Sequence, residues 1–468
     1  DLGYQLSMVE RIKLGQTIYK DFDYIRPFFS IIFWDYLLKP IPVTSAFLIL
    51  ISRTIVIVES FVICYIIKKL LFTKTSLQMT IFLLICFLHT FPIMPWHTID
   101  GIFFSVFSLF FLKKRWYFSA FIFVVVVASL VKQSFFIFSF IMSIIIFQGL
   151  YKHRKLNKRD FYIFIPTILF LIFALFQYHI IQNIETFYKQ VFTPSASLNF
   201  HESAIAVYFP NKALITIVFI SLLIIIYFAK INRKTIEMLL LLTFPVIIIF
   251  PLFNGGTFLG VPSLFVILIV LFYKYEPTNT FIFYLLFLGW SSSISWGYNT
   301  PVFFVLIFLY KFIEKKNKNF LLLWGLTLTT FFIYRITYTY LSDSLLNTKH
   351  VFTNNIKSVS GLLISENEYF YILEAQQINK DYKSVIFLPG SPLLDIINTK
   401  FRNRASWEMD VEYPNWKREI SKLKTNIIAV DNNKNDYKDG FYISSFTLGM
   451  TKQKKIIKKT KYFTIYGN

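Results

Sequence analysis

From Val43 onward the apolar residues come in long unbroken runs rather than in the half-turn stripes of a soluble helix bundle, and short polar segments separate them. The runs are Val43–Ile67, Leu77–Met94, Gly101–Leu112, Tyr117–Val131, Phe135–Leu150 and Phe161–Ile181 in the first half. Ala213–Ala229, Met238–Phe253, Phe258–Phe272, Thr280–Trp296, Val302–Phe312 and Phe320–Tyr340 follow in the second. The pattern predicts about twelve membrane-spanning helices, several of them short of the ~20 residues a full crossing needs and therefore broken, tilted or shielded by neighbours. Every second run ends on cations: Lys68, Lys69 and Lys74; Lys113, Lys114 and Arg115; Lys152, Arg154, Lys155, Lys158 and Arg159; Lys230, Arg233 and Lys234; Lys274; Lys315, Lys316 and Lys318. Those ends belong in the cytoplasm, which sets the first forty residues, the loop Pro95–Asp100, Lys132–Ser134 and the long loop Gln182–Asn211 on the outer face.

Two segments break the pattern. Before Val43, Leu2, Leu6, Val9 and Ile12 recur at helical spacing until Gly15 stops them, which predicts a short helix lying at the outer surface. Acid and base gather beside it: Asp1, Asp21, Asp23 and Arg26. From Ser342 the chain turns polar, with a predicted helix at Glu366–Asp381 and strands at Ser384–Leu388 and Asn426–Val430. Further helices are expected at Leu393–Thr399 and Trp416–Leu423. The expected fold class is mainly α, a polytopic transmembrane bundle over residues 1–341 with interfacial helices in its first external loop (1–42). Residues 342–468 then form a small extracytoplasmic α/β domain.

Composition agrees. Of 468 residues, 55% are hydrophobic and 20% aromatic, more apolar surface than one soluble core buries. The net charge of +22 sits largely in the clusters that follow the runs, which argues for membrane topology and against a nucleic-acid partner. Cys64 and Cys86 both fall inside apolar runs and leave the polar parts without a disulfide. There is no secretory signal at the start, and a further membrane segment upstream is expected. The turn Pro389-Gly-Ser-Pro392 lacks the glycine spacing that cradles a pyrophosphate.

Asp1-Leu-Gly-Tyr4, then Gly15-Gln-Thr-Ile-Tyr19-Lys-Asp21-Phe22, then Pro27 and the apolar stretch to Pro42, resemble the first external loop of the GT-C glycosyltransferases. That superfamily of polytopic enzymes includes protein O-mannosyltransferases and the lipid A aminoarabinose transferase. Leu130-Val-Lys132-Gln133-Ser134 resembles a Lys-Gln-Thr/Ser segment of many bacterial members, and Ser293-Ile-Ser-Trp296-Gly297-Tyr-Asn-Thr-Pro301 resembles a late segment of some. One position departs: where many relatives carry a second acidic residue after the first, Leu2 stands here. The resemblance implies sugar transfer from a polyprenyl-phosphate donor to a lipid, glycan or protein acceptor at the outer face of the cell membrane.

Such chemistry needs a carboxylate to take the acceptor's proton and cations to hold the phosphate leaving group. By position in the resemblance Asp1 is the expected general base, with Asp21 and Asp100 as further carboxylates. Lys132 ends a run on the outer side, where topology asks for no cation, and with Arg26, Gln133 and Arg53 it is the expected phosphate binder. His97, Trp96, Tyr4 and Tyr188 are expected to meet substrate, and a divalent cation, Mg or Mn, is a possible cofactor. Each has a plainer reading: Asp1 as a helix cap, Asp21 as a turn former, Trp96 and His97 as an aromatic belt, Lys132 as a snorkelling side chain. Glu59 is expected to be structural, and His89 to be a satisfied core histidine. Lys189, His201 and Glu202 read as solvated loop residues. Two other classes fit a basic polytopic chain. A polysaccharide polymerase or ligase calls for arginines in the long external loop, and Gln182–Asn211 has none. A flippase or transporter calls for charges at the bilayer midplane, and only Arg53 and Glu59 qualify.

Overall fold

The computed structural model describes residues 4–22, 24–41, 47–72, 77–153, 157–192, 213–240, 261–294, 301–313, 348–351, 356–382, 385–388, 427–432 and 454–467, with a few single positions between them. The fold is mainly helical with a small C-terminal sheet region. Its first nine helices are α1 Tyr4–Lys13, α2 Phe29–Leu38, α3 Leu48–Leu71, α4 Leu77–Thr90, α5 His97–Lys113, α6 Tyr117–Leu130, α7 Phe136–His153, α8 Lys158–Gln177 and α9 Ile184–Val191. Further apolar helices cover Ala213–Phe228, Val261–Tyr275, Thr280–Ser293 and Val302–Ile313. Among the described residues three helical stretches are long and apolar enough to cross a bilayer: Leu48–Leu71, Gln133–His153 and Lys158–Gln177. The expected runs Met238–Phe253 and Phe320–Tyr340 lie mostly outside the described residues, as does Trp416–Leu423.

Small residues let the helices meet closely. A Cβ at Gly101 would sit 2.4 Å from the ring of Phe135, so α5 passes against the turn before α7 only because that position is glycine. Tyr117 fills the same kind of notch over Gly149. Polar ties do the rest. Asp160, on the first turn of α8, accepts the backbone N–H groups of Phe118 at 2.8 Å and Ser119 at 2.7 Å and so caps the start of α6 from a neighbouring helix. Packed between two helices, those N–H groups find their acceptor in the protein itself.

The segment that carries α1 and α2 is folded inward rather than spread on the surface. Tyr4, Gln5, Leu6, Ser7, Met8, Val9, Glu10 and Arg11 of α1 are all buried, because α2 and the turn between the two helices close over them. Gly15 ends α1 at φ 82°, the left-handed position expected of it, where its N–H bonds to Ile12 and that of Gln16 to Arg11. The segment after α8 carries α9, whose Phe187 packs edge-on against Tyr19 and Phe28.

In the C-terminal region β1 Thr348–Val351 pairs antiparallel with β2 Leu363–Ser365, and a helix follows over Glu366–Asp381, the range expected from its sequence. A capping box starts it, Ser365 and Glu368 each satisfying the other's backbone N–H. Strands β3 Val385–Leu388, β4 Ile427–Asp431, β5 Lys455–Lys459 and β6 Phe463–Gly467 form a sheet in the order β3-β4-β6-β5, parallel only between β3 and β4. Ile356, Val359 and Leu362 join the core of the helical part, and Gly361 at φ 80° lies against Phe47 at the start of α3. The C-terminal region is thus packed on the bundle and not merely strung from it.

Replacing Asp160 by Ala is expected to lower the unfolding free energy by about 2–4 kcal/mol, since it leaves two buried backbone donors without an acceptor. Chemical unfolding of the purified protein in detergent, against the native chain, measures the loss.

Candidate functional site

Two adjacent clusters gather around the first turn of α5, one built on carboxylates and one on cations. Asp100 is the centre of the first. It is fully buried, and α1, α2 and α3 all reach it. Trp34 of α2 donates its indole N–H to Oδ1 at 3.2 Å, Ser30 of α2 donates its hydroxyl to Oδ2, and Gln5 of α1 bonds to Ser30 and reaches Oδ2 at 3.5 Å. From α3, Glu59 meets the same carboxylate. With both groups ionised neither Glu59 oxygen has a donor, and two bare carboxylates in contact inside a bundle repel without water to screen them. One proton held between Glu59 and Asp100 removes both problems. The helical spacing of α2 explains the rest: Ser30 and Trp34 stand four residues apart, so both point at one acceptor.

The second cluster lies two and three residues earlier on α5, at Thr98 and His97, and across to the end of α6. Lys132 follows α6 in an extended conformation, only 2% exposed, and its ammonium donates to Thr98 Oγ1 at 3.1 Å. Burial, and then the neighbouring Arg26, holds its pKa well below the usual lysine range. His97 is buried with no hydrogen-bond partner on either ring nitrogen, and burial, Arg26 and Lys132 together push its pKa well below the usual histidine value. Arg26, half-buried, donates to Gln133 Oε1 at 3.3 Å. Three basic side chains therefore converge, and no described carboxylate offsets the shift of Lys132 or His97.

Gln133 also clamps the loop. Its amide donates to the carbonyls of Ile25 at 2.6 Å and Val191 at 3.1 Å, which ties the segment between α1 and α2 to α9. Gln190 works from the other side, accepting the N–H of Tyr24 at 3.0 Å. Tyr19, between them, adopts a left-handed φ of 65° while buried, with its hydroxyl on Arg26 O at 2.7 Å. A non-glycine residue in that region costs energy, and the neighbouring contacts hold it there.

The remaining candidates fall in different places. Asp1 and Asp23 lie outside the described residues, as do His201 and Glu202. Asp21 is exposed and accepts the N–H of Thr17 at 2.7 Å, the turn-forming geometry. Tyr4 stacks on Tyr24 at 5.9 Å within the folded loop. Trp96 is buried between Phe91 and His97. Tyr188 is 65% exposed on α9, away from both clusters' buried groups, and Lys189 beside it pairs with Glu185. Arg53 is half-buried on α3, six residues before Glu59, and His89 bonds through Nδ1 to Ile85 O. No three potential metal ligands gather among the described residues. Gln5, Ser30, Trp34 and Gln190 were not singled out by sequence, for nothing in spacing marks a hydroxyl or amide that acts across tens of residues. No family model, curated protein or solved structure matches this chain.

Asp100→Ala is expected to cost about 3 kcal/mol or more, since it strips the acceptor from three donors on two helices. Glu59→Gln, which keeps a neutral hydrogen-bonding group in the same place, is expected to stay within about 1 kcal/mol of the native chain. Unfolding curves of the two variants test the shared proton directly: equal losses would rule it out.

Proposed function

We propose that this chain is an integral membrane glycosyltransferase that moves a sugar from a polyprenyl-phosphate donor to an acceptor on the extracytoplasmic face. The observation that carries the reading is the convergence of buried Lys132, buried His97 and half-buried Arg26, three basic side chains whose burial no described carboxylate offsets. Burying like charges together is costly in the free protein, and an incoming anion reverses the cost. A phosphodiester supplies one permanent negative charge and acceptor oxygens for Lys132 Nζ and the Arg26 guanidinium, and the lipid tail it carries would lie in the bilayer beside the helices.

In this reading the cradle stabilises the charge that grows on the phosphate as the sugar–phosphate bond breaks, which is where electrostatic preorganisation acts. The general base is proposed to be Asp1, three residues ahead of Tyr4. Asp100 acts at one remove, holding α1 and α2, and with them the segment that carries Arg26, against α5. The full complement of about twelve spans, the GT-C architecture and an extracytoplasmic C-terminal domain belong to the same proposal, and the three long apolar helices support its membrane setting.

The test is transfer from a labelled polyprenyl-phosphate sugar by the purified protein in lipid. Release of polyprenyl phosphate with a labelled acceptor supports the reading, while joining of long chains or movement of intact donor across the bilayer refutes it. Lys132→Gln is expected to lower kcat/KM by at least about tenfold, the scale of removing one charge from a buried ion contact. pH provides a second check. Only protonated Lys132 attracts the phosphate, and its pKa in the free site is depressed, so donor affinity falls as pH rises through that value, well before an ordinary lysine would titrate. The phosphodiester itself does not titrate there. Lys132→Arg, which keeps its charge, is expected to flatten the profile of donor KM against pH on the alkaline side.

A further inference from the structure

The last forty residues concentrate charge in one place. Between Ser342 and Asn468 the chain has 19 Lys and Arg against 13 Asp and Glu, and six of those lysines, Lys452, Lys454, Lys455, Lys458, Lys459 and Lys461, fall within ten residues. Without them the region is electrically balanced, with 13 of each sign. The cluster coincides with β5, the edge strand beyond β6, all five of whose residues are exposed. Two of the five are isoleucines, Ile456 at 60% and Ile457 at 48% exposure.

Lysines on a sheet edge keep other strands from pairing with it, and one or two suffice for that purpose. Six lysines bracketing two exposed isoleucines exceed it, and the isoleucines work against it. A second copy of the chain would bring the same positive edge against itself, so self-pairing is disfavoured by several like charges. A soluble polyanion would match the charge and leave the isoleucines in water. A lipid surface with anionic headgroups matches both, phosphate oxygens for the ammonium groups and the headgroup boundary for the isoleucines.

We propose that β5 and its flanking lysines form a docking edge for anionic phospholipid headgroups, by which the C-terminal sheet rests on the membrane that holds the helices. The edge needs little intrinsic affinity, because the chain already tethers the sheet to the bilayer and the contact is intramolecular in effect. This surface is independent of the phosphate cradle and of the transferase reading.

The experiment uses the full chain in nanodiscs. Cys64 and Cys86, both buried, are replaced by Ala, and a polarity-sensitive fluorophore is attached through Ile456→Cys. Emission is compared in pure phosphatidylcholine and in phosphatidylcholine with phosphatidylglycerol. The expected result is a blue-shifted, brighter probe in the anionic discs alone, reversed by about 0.5 M salt, at which charge screening leaves only a few ångströms of range. Lys→Gln changes at 454, 455, 458 and 459 are expected to weaken the contact about fivefold for each lysine replaced. A probe that stays aqueous in both lipids overturns the proposal and leaves the lysines as guards of the edge. Equal immersion in both lipids, unaffected by the Lys→Gln changes, overturns the headgroup recognition. A response only to added soluble polyphosphate, with none to phosphatidylglycerol, assigns the edge to a polymer instead. The native-lysine chain in two lipids gives the first answer without relying on the multiple variant folding.

Discussion

The buried carboxylate of Asp100 is the tie on which this end of the molecule depends. Short helices have no reason of their own to stand in a fixed orientation: α1 and α2 are ten residues each, too short to be stable alone. A single acceptor inside the bundle collects Trp34 and Ser30 from α2 and Gln5 from α1, with Glu59 of α3 beside it. In a low-dielectric setting each such bond is hard to replace, because breaking it strands a donor with no water near. The tie is therefore directional in a way that packing of leucines against phenylalanines is not.

What the tie positions is the neighbouring group of cations. Thr98 and Asp100 lie two residues apart on α5, so the rotation of that helix that brings Asp100 to α2 also sets Thr98 under Lys132. Arg26 is delivered from the other direction by a loop held at three points: Gln133 on Ile25, Gln190 on Tyr24, and the hydroxyl of Tyr19 on Arg26 itself. Those clamps explain how a strained Tyr19 persists, and they place the cost of holding two repelling cations together on the scaffold instead of on a ligand.

How much of this was legible beforehand follows the range of each interaction. Helix starts and stops set by local chemistry were readable to within a few residues: Gly15 after α1, Lys68 and Lys69 at the end of α3, the tail helix at Glu366–Asp381. Lys132 stood out because a cation at that end of a run contradicts the charge rule for loops, a signal that needs no structure. The inward fold of α1 was not readable, since its polar Gln5, Ser7, Glu10 and Arg11 suggested a surface and each is buried. Glu59 was expected to pair with another helix, but that its partner is Asp100 depends on how α3 and α5 pack. Strands β5 and β6 escaped notice because Lys455–Lys459 reads as a solvated charge run until β6 pairs with it.

The same contrast separates the two kinds of cation in the chain. Lysines that follow the apolar runs close off helix ends: Lys113 donates to the carbonyls of Lys69 and Leu70, and Lys274 to those of Ile226 and Ala229. Lys132 is different in kind: it is enclosed, bonded to one hydroxyl and pressed by Arg26, so its charged form is disfavoured while nothing of opposite sign stands beside it. Burial converts a common residue into a specific one by removing the solvent that would otherwise satisfy it. On the proposed reading, an anion entering beside it would gain the attraction that water would have weakened and would relieve the repulsion from Arg26, so the cost of folding the site and its affinity would be two expressions of one desolvated charge.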